Sequence, residues 1–250
     1  MPRLDTELVA RGPVTSRNRA AREIAAGNVT VNGHKVTKPS HTVGPDDHVE
    51  LTQADPWVAR SAHKLFGALN DLGIERVDGL TCLDAGASTG GFTQVLLTKG
   101  AEHVYAVDVG HDQLHTSLRT DPRVTNLEGH NLRELTPEWT RGDVDLVVAD
   151  VSFISLTLFI DRLVKVTRPG GHLLLMVKPQ FELDRSALDK HGVVTSTKKR
   201  QEAVDRVTAH LDSVGAHTVR ICESHLPGPA GNVEYFVYAE SPVGSKGEVT

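Results

Sequence analysis

The chain has 250 residues, of which 39% are hydrophobic and 4% aromatic, and its formal net charge is −5. This length suits one large or two smaller domains, and so few aromatic side chains exclude base stacking as the main mode of any nucleic-acid contact. The acidic balance, taken whole, argues against a nucleic-acid partner. The sequence has no signal-like N-terminal segment and no apolar run of about 18 residues, so we expect a cytoplasmic protein without a membrane span.

The basic charge is concentrated near the N-terminus. Between Met1 and Lys38 there are seven arginine and lysine residues and three acidic residues, so the local potential is positive. The predicted elements are helices over 3–11 and 16–26, a hairpin of 29–31 and 35–37 around the turn Asn32-Gly33, and a strand over 48–51. They predict a small α+β domain over residues 1–52.

Residues 53–58 are typical of a linker, and from residue 59 helices and strands alternate. The predicted strands are 80–83, 104–107, 124–127, 144–149, 172–177, 218–222 and 233–238. The predicted helices are 61–72, 91–99, 112–118, 155–166 and 198–214, with a turn at 169–171. This alternation predicts an α/β, Rossmann-like domain over 59–240, with a mostly parallel seven-stranded sheet and helices on both faces. Residues 241–250 are expected to form a flexible tail.

The segment Asp84–Phe92, DAGASTGGF, lies between the predicted strand 80–83 and the helix that follows it. A strand, a glycine turn and a helix in this order direct backbone N–H groups toward a bound cofactor, because glycine permits close approach and positive φ. We therefore expect a nucleotide-type cofactor to be bound here, by Asp84, Gly86, Ser88, Thr89, Gly90, Gly91 and Phe92.

The acidic residues favour S-adenosylmethionine over NAD as that cofactor. The loop lacks the third glycine of the pyrophosphate fingerprint, and Asp84 would repel a pyrophosphate but suits the cationic groups of the methyl donor. Asp108, at the end of the next strand, is expected to hold the ribose hydroxyls, and Asn131 to lie near the adenine. Alternatively, the glycines are ordinary turn residues, both acids cap helices, and Asn131 is a turn asparagine.

The N-terminal domain resembles the S4 RNA-binding module, named after a ribosomal small-subunit protein. The resemblance rests on Arg3-Leu4-Asp5, Ser16-Arg17 and Val31-Asn32-Gly33 at their spacing in the sequence. It implies that the second helix and the hairpin bind the RNA backbone. The implied contacts are Arg3, Arg17, Arg19, Arg22 and Lys35, which would position the protein rather than read sequence. A solvated charged helix face is the alternative.

Four charged residues stand near one edge of the predicted sheet: Lys64, Asp150, Lys178 and Glu234. In this order they resemble the Lys-Asp-Lys-Glu tetrad of the FtsJ-like ribose 2′-O-methyltransferases. Taken singly, Lys178 and Glu234 could be strand-end charges, Asp150 a helix cap and Lys64 a solvated helix residue. A 2′-hydroxyl is a poor nucleophile, so the site must accept its proton while aligning it with the sulfonium methyl. Lys178 is the candidate proton acceptor, and no metal is required.

Longer motifs extend the resemblance to one family. The segments DVSFISL at 150–156, KPQFE at 178–182 and GPAGNVEYF at 228–236, behind an S4-like domain, resemble the TlyA family, whose members are described as hemolysins and as ribosomal RNA methyltransferases. The resemblance implies cytidine 2′-O-methylation of small- and large-subunit ribosomal RNA. The sequence departs from the family at Asp55-Pro56, in a linker that often carries a basic residue.

Two further functions stay open at this point. A non-catalytic RNA-binding or ribosome-assembly factor is disfavoured by the intact tetrad, and a pore-forming hemolysin by the lack of a long apolar span or a strongly amphipathic cationic helix in the sequence. Cys82 and Cys222 are expected to be buried thiols in a reducing compartment. The 13 histidines follow no metal-ligand spacing.

Overall fold

The computed structural model describes residues 1–14, 16–53 and 55–244. They fall into two compact units, one over Met1–Pro56 and the other from Trp57 onward. Within the described ranges, no helix is long and apolar enough to cross a membrane.

The first unit packs two helices against a small antiparallel sheet. Its elements are α1 (Leu4–Ala10), α2 (Arg17–Ala25), β1 (Val29–Val31), β2 (His34–Lys35) and β3 (Val49–Leu51), with strand order β2-β1-β3. Asn32 and Gly33 both have positive φ, 52° and 77°, as a two-residue hairpin turn requires. The predicted hairpin is therefore present, with its second strand starting at His34 rather than at residue 35.

The second unit is built on a seven-stranded sheet in the order β6-β5-β4-β7-β8-β10-β9. The strands are β4 (Thr81–Ala85), β5 (His103–Asp108), β6 (Val124–Glu128), β7 (Val144–Ala149), β8 (Thr167–Val177), β9 (His217–Glu223) and β10 (Tyr235–Glu240). All neighbours are parallel except β10, which is antiparallel to both β8 and β9. The predicted mostly parallel sheet is confirmed.

Helices cover both faces of this sheet, because successive side chains of a strand point to opposite sides. The helices are α3 (Ser61–Asp71), α4 (Gly91–Thr98), α5 (Thr116–Arg119), α6 (Ile160–Val166), α7 (Pro179–Glu182) and α8 (Thr197–Ser213). Leu83 of β4 belongs to the core cluster that contains residues of α6 and α8. Its neighbour Cys82 belongs to the opposite cluster, with residues of α3 and α4.

Two predicted helices are shorter than expected, for identifiable reasons. Residues 155–166 split into a 3-10 turn, Leu156–Leu158, and α6, because Phe159 between them has φ −147°. The helix expected from Asp112 begins only at Thr116. Asp112 has a positive φ of 54°, and the Glu128 carboxylate holds the two N–H groups that follow it.

Three smaller expectations also change. The turn expected at 169–171 is a bulge inside β8, since the pairing with β7 jumps from Thr167 to His172. Cys82 is buried, but Cys222 is only half-buried, because it lies on the edge strand β9. Of the tail expected at 241–250, residues 245–250 lie outside the described residues, while Ser241 is buried and its N–H donates to the Gly171 carbonyl at 2.8 Å.

Candidate active site

The glycine loop is anchored to the carboxyl ends of the neighbouring strands. The N–H groups of Gly86 and Ala87 both donate to the Val107 carbonyl of β5, at 2.8 and 3.0 Å. Gly86 has φ +85°, and a Cβ there would lie 2.7 Å from the Asp150 carbonyl oxygen. Only glycine lets the loop pass this close to the end of β7.

Ser88 lies in the outer part of this loop and contacts Asp108 at the end of β5. Ser88 has a positive φ of 47°, which is uncommon for a residue with a side chain. Its N–H donates to Asp108 Oδ2 at 2.8 Å, and the Gly110 N–H donates to Asp108 Oδ1 at 2.7 Å. Asp108 is therefore fixed at the end of β5 by two backbone donors.

The last two glycines of the motif serve packing. A Cβ at Gly90, where φ is +97°, would lie 2.3 Å from Leu118 Cδ1, and a Cβ at Gly91 would lie 2.3 Å from Ser61 Oγ. Gly90, Gly91 and the neighbouring Thr89 do not line either cavity described below. The close packing at Gly90 and Gly91 explains the place of these two glycines in the motif.

The predicted contact between Asp84 and the cofactor is not supported, because the Asp84 side chain is buried and does not line either cavity described below. It lies within β4, between Ala106 and Val148 of the adjacent strands, and is 0% exposed. Its Oδ2 accepts from the N–H and the hydroxyl of Thr93, at 2.8 and 2.7 Å, so it caps the first turn of α4. Oδ1 is buried with no hydrogen-bond partner. Burial raises the pKa of Asp84 to about 7.

Two adjoining cavities open at this edge of the sheet, with volumes of about 510 and 650 Å³. Both volumes are in the range of small-molecule sites. The cavities share the lining residues Gly86, Ser88, Asp150, Ser152 and Phe153. The first cavity adds Phe92 and the rest of the tetrad, Lys64, Lys178 and Glu234, and the second adds Asp108 and Asn131.

The four tetrad residues form two ion pairs in the first cavity. Lys64 Nζ lies 2.5 Å from Glu234 Oε2, and Lys178 Nζ lies 2.6 Å from Asp150 Oδ1. Lys178 also donates to Ser152 Oγ at 2.7 Å, whereas its contact with Asp150 is a charge contact without hydrogen-bond geometry. The structure thus brings all four predicted residues together, each lysine beside a carboxylate.

Sequence reasoning did not single out Ser152, Phe153 or Phe181, although all three lie in the motifs that carried the resemblance. Phe153 is 91% exposed and has φ +68°, an outlier for a bulky side chain. Its ring centroid is 5.2 Å from that of Phe181, and both rings line the first cavity. The positive φ, which the sequence does not reveal, holds Phe153 at the cavity mouth.

Asn131 is a turn residue and also lines a cavity, so both interpretations of this asparagine apply. Its side-chain oxygen accepts from the Arg133 N–H at 3.1 Å, which caps a 3-10 turn over Leu132–Glu134. The same residue lines the second cavity. Among the described residues, no group of three or more His, Cys, Asp or Glu side chains could hold a metal ion.

The five predicted RNA contacts of the first unit differ in their partners and in their exposure. Arg3 and Arg17 both bind the buried Asp5, at 2.9 and 3.3 Å, and keep half or more of their side chains exposed. Hydrogen bonds from Arg3 lower the pKa of Asp5 to about 2. Arg19 donates to the Asp55 carbonyl at 2.9 Å, and Arg22 lies 3.5 Å from the Asp55 carboxylate, with both side chains largely covered. Lys35 is exposed on β2.

Known proteins share both parts of this architecture. Residues 57–241 match the FtsJ-like methyltransferase family, and residues 2–49 match the S4 domain. The chain is 48% identical over 240 residues to the 16S/23S rRNA (cytidine-2′-O)-methyltransferase TlyA of Mycobacterium tuberculosis, which covers 94% of this chain and 88% of that protein. It is 37% identical to Hemolysin A of Brachyspira hyodysenteriae, over 94% of this chain and 98% of that protein.

A solved structure from Streptococcus thermophilus that carries a provisional hemolysin name has a TM-score of 0.77 and 34% identity, over 99% of this chain and 91% of that one. The fold and the two domain matches define an FtsJ-like methyltransferase preceded by an S4 domain. The chain belongs to the TlyA family.

Proposed function

We propose that this protein is an S-adenosylmethionine-dependent 2′-O-methyltransferase that acts on cytidine ribose in small- and large-subunit ribosomal RNA. The observation that carries the proposal is the pair of lysine–carboxylate contacts in one cavity, next to the glycine loop. The name and the high identity of the Mycobacterium tuberculosis relative support the cytidine substrate.

The geometry suits activation of a hydroxyl group. The Lys178 amine lines the cavity and is oriented by Ser152 and Asp150, so its nitrogen can meet a substrate hydroxyl. Lys64, held by Glu234, adds a second positive charge to the same cavity. An amine oriented in this way can hold the hydroxyl in line and accept its proton once the amine itself is neutral.

The second cavity fits the methyl donor. Asp108 lines it at the end of β5 and offers carboxylate oxygens for ribose hydroxyls, and Asn131 stands at its wall. The Oδ1 atom of Asp84 is buried beneath the loop without a hydrogen-bond partner, and burial raises the pKa of this carboxyl group to about 7, so a cationic ligand above the loop would favour its ionised form. When bound, S-adenosylmethionine would supply the electrophilic methyl group, and Gly86 and Ser88, which line both cavities, connect the proposed donor site with the cavity that contains Lys178.

Phe153 supports an RNA nucleotide as the acceptor. An exposed aromatic ring at the mouth of a catalytic cavity offers a surface for stacking a base taken out of its helix. The exposed Arg3 and Arg17 of the first unit suit phosphate contacts that hold ribosomal RNA or a ribosomal subunit on the enzyme.

Single-turnover transfer of tritiated methyl to ribosomal subunits tests the proposal. Lys178→Ala should lower the rate by about a hundredfold or more, the scale of general acid-base assistance, with S-adenosylmethionine and RNA affinities within a few fold of the parent. Lys165→Ala is a matched control, because Lys165 is exposed at the end of α6, which leads into the opposite end of β8.

Near-parental turnover of Lys178→Ala with saturating RNA would refute the role of Lys178 as proton acceptor. A parent that transfers no methyl to ribosomal subunits or RNA would instead favour a non-catalytic RNA-binding factor. The substrate is identified by mapping 2′-O-methylcytidine in both ribosomal RNAs from cells with and without the protein. Red-cell lysis by the purified protein, measured in parallel, tests the activity that the hemolysin name of the Brachyspira relative suggests.

A further inference from the structure

Glu182 is a buried carboxylate close to the candidate active site, but it does not line either cavity. It ends α7, the four-residue helix that begins directly after Lys178, and it is 3% exposed. Burial raises the pKa of this carboxyl group. Burying a carboxylate lowers the stability of the fold unless hydrogen-bond donors satisfy its oxygens. The donors to Glu182 therefore indicate its structural role.

The partners of Glu182 lie on the segment that follows β7. Oε1 accepts from the Leu156 N–H at 2.9 Å, and Oε2 accepts from Ser155 Oγ at 2.5 Å. Ser155 and Leu156 begin the 3-10 turn that ends the segment 150–156. The carboxylate therefore fixes the far end of the segment that carries Asp150, Ser152 and Phe153.

The near end of the same segment is tied to Lys178. The Lys178 amine contacts Asp150 and Ser152, while the backbone pairing between β7 and β8 extends only to Ala149 and Leu175. Beyond that point, side-chain contacts connect residues 150–156 with residues 178–182: Lys178 contacts the start of segment 150–156, and Glu182 contacts its end. α7 is itself anchored, because Arg206 of α8 donates to the Glu182 carbonyl oxygen.

We propose that Glu182 is a positioning residue for methyl transfer: it holds segment 150–156 against α7, so that Asp150 and Ser152 orient the Lys178 amine in the cavity. The inference rests on the proposed function for its kinetic consequence and on the contacts alone for its structural consequence. Glu182 touches neither substrate nor cofactor. Its loss should therefore lower the rate of the chemical step rather than the affinity for either ligand.

Two substitutions separate the hydrogen bonds from the charge. In Glu182→Gln the amide oxygen can accept from the Leu156 N–H and the amide nitrogen can donate to Ser155 Oγ, so both ties survive without the charge. Glu182→Ala removes both ties. Misplacement of reacting groups by about 1 Å costs about a hundredfold in rate, so we expect Glu182→Ala to lose about ten- to a hundredfold.

The experiment measures single-turnover methyl transfer to ribosomal subunits and S-adenosylmethionine affinity by calorimetry, for the parent and both variants. The proposal predicts slow transfer by Glu182→Ala with its cofactor affinity within about twofold of the parent, and Glu182→Gln within about threefold of the parental rate. If Glu182→Ala does not fold, Ser155→Ala removes the Oε2 tie alone and should give a several-fold loss.

Parental turnover by Glu182→Ala, or equal losses in the Gln and Ala variants, would overturn the proposal. If the parent itself transfers no methyl to RNA, the proposed function fails, and amide hydrogen exchange then decides the present inference. Faster exchange over residues 150–158 in Glu182→Ala, with other segments unchanged, supports the tie. Unchanged exchange over that segment refutes it.

Discussion

The burial of Asp84 makes the stability of the ligand-free protein depend on pH. In the unfolded chain this carboxyl ionises near pH 3.8, whereas burial in β4 raises its pKa to about 7. Between these values the folded state keeps a proton that the unfolded state has lost, so stability falls as pH rises and levels off above about pH 7. Replacing Asp84 with asparagine removes this titration and keeps an oxygen for the Thr93 donors.

The size of the effect follows from the shift in pKa. One pKa unit corresponds to about 1.4 kcal/mol, so a rise from 3.8 to about 7 costs on the order of 4 kcal/mol when the group is fully ionised. Part of that cost is already present at pH 5, because the unfolded chain is ionised there. Between pH 5 and pH 8 the parent should lose about 3 kcal/mol through Asp84.

Urea denaturation of the ligand-free parent and Asp84→Asn at pH 5 and pH 8 measures this quantity. The stability of the variant relative to the parent should be higher at pH 8 than at pH 5, by about 3 kcal/mol. We predict only this change with pH and not the absolute stability of the variant, because the new buried amide N–H lowers the stability by the same amount at every pH. A difference between variant and parent that is the same at both pH values would show that Asp84 is ionised throughout, and would refute the argument.

Further outcomes are expected for other residues. Asp108→Ala should weaken S-adenosylmethionine binding at least about tenfold in calorimetry, and undiminished affinity would contradict its ribose contact. Arg17→Glu should weaken RNA binding and reduce the steepness of log K against log salt concentration by about one unit or more. Arg22→Glu should change this slope less, because the Arg22 side chain is largely covered. Phe153→Ala should weaken RNA binding by about five- to a hundredfold, with Phe153→Trp near the parent. Gly90→Ala should lower the melting temperature without a specific loss of cofactor affinity.

The order of elements in the second unit could be predicted because it rests on local patterns. Alternating apolar strands and helices specify a parallel sheet wherever both faces are covered, and the cofactor edge follows from where such strands end. The hairpin at Asn32-Gly33 was predictable for a similar reason, since that turn needs two residues with positive φ. Short elements such as α7 were missed, because four residues carry too little periodicity.

The direction of each charged side chain was decided by the tertiary structure. Asp84 and Asp108 both stand near strand ends in the sequence, yet β4 continues past Asp84, which buries its carboxylate against Thr93, while Asp108 reaches the cavity. Arg17 and Arg22 share one helix but meet different carboxylates, Asp5 and Asp55.

The sequence alone shows which residue types reach the carboxyl edge of the sheet and in what order they follow along the chain. Only the tertiary structure paired Lys64 with Glu234 and Lys178 with Asp150, because such pairs join segments up to 170 positions apart. Side-chain pairing across strands depends on sheet order, twist and burial, and these arise only when the whole core packs.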